Sequence, residues 1–177
     1  MRLDVSLLLG VVALCGAISL SSREAAAVPP LDAVNHRIRT ASGDRCQTAV
    51  QSEGAVQSTT CGGGNLQRWH LNWLWGNTFT IENVGLSDSL QTPQCSTVTS
   101  LESGAVVTMN DCITDPEDGD PSTQRWDISP AGNDRYRICQ TDTGTGVTYC
   151  TQAGFAGPNL QMRPLSGSSA QVWRFVP

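Results

Sequence analysis

Side chains that carry covalent chemistry are scarce in this chain. It has two histidines, His36 and His70, and seven cysteines. A serine nucleophile needs a histidine in reach and a carboxylate behind it. No G-x-S-x-G elbow occurs; His36 falls in an expected first strand and His70 adjoins Trp69, so both read as structural or exposed. No C-x-x-C occurs and two histidines are too few for a zinc set, so neither metal nor cofactor is expected. The acidic stretch Asp115 to Pro121 lacks the alternating ligands of a calcium loop and reads as a solvated turn. Gly62-Gly63-Gly64 reads as a turn, because a phosphate cradle needs a helix behind it. What remains is recognition chemistry. Tryptophan rings cover apolar faces and amides bond hydroxyls. In Trp73-Leu74-Trp75 the two tryptophans alternate, so along a strand they would share a face. That face is either an aromatic platform for a sugar or a protein, or a plug in one end of a barrel.

The elements that would position such residues announce themselves in a pattern that occurs three times. Gln67-Arg68-Trp69, Gln124-Arg125-Trp126 and Gln171-Val172-Trp173 follow one another at intervals of similar length. A repeat of that size points to a symmetric architecture. On a strand the Gln and Trp of each copy would point the same way. The tryptophan would fill the core, and the buried amide would need backbone partners in a neighbouring loop. Short apolar runs bounded by Gly, Asn, Asp and Pro predict an all-β chain.

Three Q-x-W units separated by cysteines resemble the ricin-B-type β-trefoil lectins, over roughly residues 34–177. The resemblance implies a β-trefoil with three four-stranded repeats, pseudo-threefold symmetry, and Trp69, Trp126 and Trp173 packed near the axis. It also implies sugar sites. A competent repeat in that family carries an Asp two residues after its first Cys, a stacking aromatic two residues before its second, and an Asn just before the Gln. Those places hold Thr48, Thr59 and Leu66 in repeat one, Gln91, Asn110 and Thr123 in repeat two, and Gln152, Arg163 and Ala170 in repeat three. Gln57 and Gln161 match a polar position that often lines the site. No repeat keeps the Asp or the ring, so the sugar sites read as eroded. A millimolar site is worth about 4 kcal/mol, and one hydrogen bond to a charged group about 1.5–3 kcal/mol, so these losses remove most of an ordinary galactose site. Gln91 and Gln152 as neutral substitutes, Gln57 and Gln161, the motif glutamines Gln67, Gln124 and Gln171, and the pair Trp73 and Trp75 are the candidate sugar contacts.

Residues 1–27 read as a signal peptide. Arg2 precedes the apolar run Ser6 to Leu20, and Ala25-Ala26-Ala27 allows a cut before Val28. Leu14 disfavours Cys15 as an acylated cysteine. Cys15 leaves with the signal, and six cysteines remain. An even set in an exported chain reads as disulfides, with 15 possible connectivities. Local pairing is simplest: Cys46–Cys61, Cys95–Cys112 and Cys139–Cys150, each worth about 3 kcal/mol by loop closure. In repeat three the bridge would span the first hairpin, whereas repeats one and two would bridge later strands. The net charge is −5 and no basic cluster runs along the chain, which disfavours nucleic acid and anionic membranes as partners.

The expected function is a secreted, non-enzymatic carbohydrate-binding module. Its partner would be a glycan or glycoprotein, with a separate toxin or enzyme chain also considered. Receptor-binding subunits of cytolethal distending toxins are an analogy at the level of fold. The alternative is a β-trefoil protease inhibitor, with Ser87 to Gln94 or Asp115 to Pro121 as the inserted loop.

Overall fold

A computed structural model describes residues 34–115, 119–154 and 157–177. The signal-peptide expectation therefore lies outside the described residues. So does the middle of the Asp115 to Pro121 loop. Among the described residues, twelve strands form the three expected repeats. Repeat one holds β1 (Arg37–Thr40), β2 (Arg45–Thr48), β3 (Gln57–Thr60) and β4 (Trp69–Trp75). Repeat two holds β5 (Thr78–Asn83), β6 (Gln94–Thr97), β7 (Thr108–Asp111) and β8 (Trp126–Pro130). Repeat three holds β9 (Tyr136–Thr141), β10 (Thr148–Gln152), β11 (Gln161–Pro164) and β12 (Trp173–Val176).

The first and fourth strands of each repeat close a barrel. Pairing runs β1 to β12, β12 to β9, β9 to β8, β8 to β5 and β5 to β4. A single bridge from His36 to Trp69 returns β4 to β1. Closure pairs the edges of the barrel strands with one another. The second and third strands form three hairpins that cap one end. A ring of backbone hydrogen bonds joins them: Val56 donates to Val107 (2.8 Å), Val107 to Leu160 (3.0 Å) and Leu160 to Val56 (2.8 Å). The three side chains are fully buried. A threefold axis is the simplest reading of this cyclic bonding.

Each fourth strand opens on a Q-x-W tryptophan. Trp69, Trp126 and Trp173 are completely buried in one core. Burying about 150–250 Å² apiece is worth about 4–6 kcal/mol each. Their indoles donate to equivalent carbonyls on the second strands, those of Gln47 (3.1 Å), Ser96 (3.0 Å) and Thr151 (3.4 Å).

The glutamines depart from the strand expectation. Each ends a short 3-10 turn, Asn65–Gln67, Pro121–Gln124 or Ser169–Gln171, before the strand begins. From there the amide reaches back to the hairpin. Its carbonyl accepts the N–H of Gly62, Ile113 or Ser166. Its nitrogen donates to the carbonyl two residues earlier, on Thr60, Asp111 or Pro164. The backbone-partner expectation holds, while the same-face geometry does not.

The disulfides pair as expected, over separations of 15, 17 and 11 residues. Cys139 and Cys150 lie directly opposite across β9 and β10, so repeat three bridges its first hairpin. A helix that the sequence reading missed, α1 (Val84–Leu90), follows β5. Asn83 caps it by accepting from the N–H of Leu86 (3.0 Å), and its amide also donates to the carbonyls of Leu66 and Arg68. Gly85 lets the helix rest on the first 3-10 turn, because a Cβ there would come within 2.8 Å of Asn65 backbone. Ser87 to Leu90 of the Ser87 to Gln94 stretch is thus helical and Gln94 opens β6, which leaves Gln91 to Pro93 as the connection. No helix among the described residues is long and apolar enough to cross a membrane.

Urea unfolding tests this frame. Gln124→Leu should lose about 1–3 kcal/mol, because the Ile113 N–H and Asp111 carbonyl lose their partner. Trp173→Ala should lose about 3–5 kcal/mol. A loss well under 1 kcal/mol for either would contradict the account.

Candidate functional site

Residues flanking the buried tryptophans point outward and differ between repeats. Repeat one presents Arg68 and His70, repeat two Arg125 and Asp127, and repeat three Arg174, whose counterpart Val172 is buried. In repeat two this pair meets the end of β4. A register shift separates Trp73, opposite Phe79, from Trp75, opposite Thr78. Thr78 and Phe79 are consecutive and face opposite ways, so the two tryptophans do not share a face. The extra residue of a bulge breaks simple alternation. Both rings are about half exposed, 48% and 52%, so neither plugs the barrel. The Trp73 indole donates to the Gly76 carbonyl (3.1 Å) and closes its own hairpin. Trp75 turns to the Thr78 side, where the Arg125 guanidinium lies 5.1 Å from the ring centroid.

There a cleft of about 440 Å³ opens between repeats two and three. Trp75, the last residue of β4 in repeat one, joins Arg125 and Asp127 of repeat two on one wall; Gln140, Thr141 and Asp142, at the end of β9, line the other. Its polar groups are held in place. Thr78 Oγ1 donates to Asp127 (3.0 Å). The Gln140 amide donates to the Thr123 carbonyl (3.2 Å), which also accepts from the Val98 N–H (2.9 Å). Asp142 accepts from the Thr145 hydroxyl (2.6 Å) and the Gly144 N–H (2.9 Å), folding the turn that Gly146 completes at φ 72°. Asp120, on the rim, accepts from the Ser122 N–H (2.9 Å). The hydroxyls of Thr145 and Ser122, then the backbone N–H groups, hold the Asp142 and Asp120 carboxyls below the ordinary 3.8. A half-exposed ring beside carboxylates and hydroxyls suits a polyhydroxylated ligand. The ring covers apolar C–H faces and the carboxylates accept from vicinal hydroxyls. A smaller depression of about 220 Å³ shares Trp75 and Arg125 and adds Leu74, Thr80 and Asp115.

The other sequence-predicted contacts lie elsewhere. Gln67, Gln124 and Gln171 are buried and their amides are spent inside the frame. In repeat one the Thr48 and Thr59 hydroxyls bond each other (2.6 Å) and the Gln67 amide, which fills the place of a sugar grip. Gln91 is not the repeat-two equivalent of Thr48. It caps the C-terminus of α1 in the left-handed region, and its amide turns back to the Asp88 carbonyl. Strand register assigns that place to Thr97, two residues after Cys95, buried and bonded to Gln124. The α1 insertion displaced the sequence alignment. Gln152 lies opposite Gln161 on β10 and β11. Gln161 accepts from Arg163 (2.9 Å), and Gln57 donates to Asn159 (3.4 Å). None of Gln57, Gln152, Gln161 or Trp73 lines the Trp75 cleft, and neither does His36 or His70. Sequence reasoning missed Arg125, Asp127, Gln140 and Asp142. The signal for the first two was present, since residues on either side of an inward Trp126 must face out together.

No family model matches the sequence, and no curated protein does. Solved structures do match in shape. The designed threefold-symmetric protein ThreeFoil superposes with a TM-score of 0.65 at 17% identity, over 80% of this chain and 97% of that one. The Macrolepiota procera ricin B-like lectin in complex with lactose gives 0.58 at 16%, over 80% and 94%. A mosquitocidal holotoxin gives 0.64 at 15% over 82% of this chain, which spans only 17% of the toxin chain. The chain has the β-trefoil fold, and β-trefoil lectins are among the structures it resembles.

Proposed function

We propose that the protein is a non-enzymatic, secreted carbohydrate-binding module whose sugar site is the Trp75 cleft. One observation carries the reading: a half-exposed tryptophan and positioned carboxylates line a single concave surface. The site differs from the family's usual places, whose residues are sealed by internal hydrogen bonds in repeats one and two. Two charge-assisted bonds at about 1.5–3 kcal/mol each, plus ring stacking, reach the roughly 4 kcal/mol of a millimolar site. Asp120, Asp127 and Asp142 outnumber Arg125 here, which favours neutral sugars over sialylated ones. Three disulfides support an oxidising, extracellular setting. The likeness to one region of the mosquitocidal holotoxin supports a second element of the proposal, that this module serves a separate toxin or enzyme chain.

A glycan array tests the site. Neutral glycans should bind the wild type, Trp75→Ala should lose at least tenfold in affinity, and Trp73→Ala should stay within twofold. Equal losses in both variants, or none in Trp75→Ala, would reject the cleft. The turn carboxylates give a second check by NMR titration. Asp120 and Asp142 should each ionise with a midpoint below 3.8. Because the folded values are lowered, the stability these turns contribute is full above 3.8 and is lost as pH falls through the lowered midpoints. Midpoints at or above 3.8 would contradict the hydrogen bonding described.

A further inference from the structure

All eleven basic residues of the chain are arginine, in a sequence of net charge −5. No run of them exists along the chain, but the barrel assembles one across strands. Arg39 lies directly opposite Arg174 on β1 and β12. The Trp173–Tyr136 pair on β12 and β9 sets Arg174 across from Arg135. Arg37 and Arg137 sit two residues along their own strands and share that face. Ile38, Tyr136, Ile138 and Trp173 between them are buried, so all five arginines point outward. The expectation of no basic cluster is thus corrected by sheet register.

Like charges opposite one another destabilise a sheet, and this face carries little to offset them. Asp44, nearby on the β1–β2 turn, is engaged by Thr40 and Ser42, and Asp134 is exposed in the turn before Arg135. Arg39 donates through Nη2 to the Gly43 carbonyl. The Nε atoms of Arg37, Arg39, Arg135, Arg137 and Arg174 are all buried without a hydrogen-bond partner. The Nη ends of these guanidinium groups are the donors a ligand could reach, and guanidinium groups match sulfate and carboxylate oxygens in pairs.

We infer that the outer face of β1, β12 and β9 binds an acidic polysaccharide carrying sulfate or carboxylate groups. Strand spacing sets the rows of arginine about 4.8 Å apart, so successive rows meet one anionic group or adjacent ones. At Arg137 the face runs into a depression of about 450 Å³ lined by Asn77, Asp127, Ser129 and Thr148. This depression offers hydroxyl partners to the uncharged parts of a sugar chain, and through Asp127 it adjoins the Trp75 cleft. Nucleic acid fits less well, because Tyr136, the ring within the strip, is buried and offers no stacking surface.

The test is binding of a heparin-derived hexasaccharide, its fully desulfated counterpart, a duplex DNA oligonucleotide and phosphatidylserine vesicles, at 50 and 200 mM salt. The sulfated hexasaccharide should bind and the desulfated one should not. Arg39→Gln/Arg174→Gln should lower affinity at least tenfold and reduce the slope of log K against log salt by about 2. Arg45→Gln/Arg68→Gln should stay within twofold. If the strip variant does not fold, the single Arg174→Lys, which keeps charge without the fork, should lose at least threefold. The proposal is overturned if the sulfated hexasaccharide does not bind, if the strip variant matches wild type, or if DNA or vesicles bind as tightly.

Discussion

A glutamine amide buried at the start of each fourth strand governs this structure. In each repeat it accepts one backbone N–H and returns a hydrogen bond to the carbonyl two residues earlier, pinning the exit of the third strand against the entry of the fourth. The role needs a donor and an acceptor on one neutral head. A carboxylate would bring charge and no donor, and an aliphatic side chain would leave backbone groups unpaired. Two residues on, the tryptophan buries its ring and spends its N–H on the second strand. Polar satisfaction and apolar burial are therefore delivered by the same tripeptide, three times, and the barrel closes around them.

This interlock is why the fold was legible. Gln67, Gln124 and Gln171 with their tryptophans mark the repeats, and the six cysteines from Cys46 to Cys150 fall into adjacent pairs. What the pattern could not convey is local backbone geometry. The Gln-to-Trp spacing of two fits a strand, yet the chain reaches it through a 3-10 turn. Asn83 begins a helix whose only local sign is a capping amide, and the inserted α1 shifted the repeat-two alignment from Thr97 to Gln91. The bulge between Trp73 and Trp75 undid the shared face that alternation suggested.

The candidate surfaces were less legible because they depend on pairing rather than on order in the chain. Arg125 and Asp127 could have been taken as an outward pair from the inward Trp126, but Gln140 and Asp142 come from another repeat. The arginine face requires knowing that Arg39 meets Arg174. The same outward positions carry different chemistry in each repeat: Asp127 joins a cleft with an aromatic wall, Arg174 joins a cationic strip, and His70 sits opposite Glu82. Symmetry ends at the core, where the tripeptides must agree, and the exterior is free to diverge.

The most direct measurement is a titration of the ¹⁵N-labelled protein with the tightest neutral glycan, following backbone amides and tryptophan indoles together. The account predicts shifts confined to the Trp75 indole and to amides of residues 98–101, 122–127 and 140–143, with the indoles of Trp69, Trp126 and Trp173 unmoved and slow to exchange with solvent. Shifts centred on residues 48, 59 and 66, or rapid exchange of the three core indoles, would contradict it.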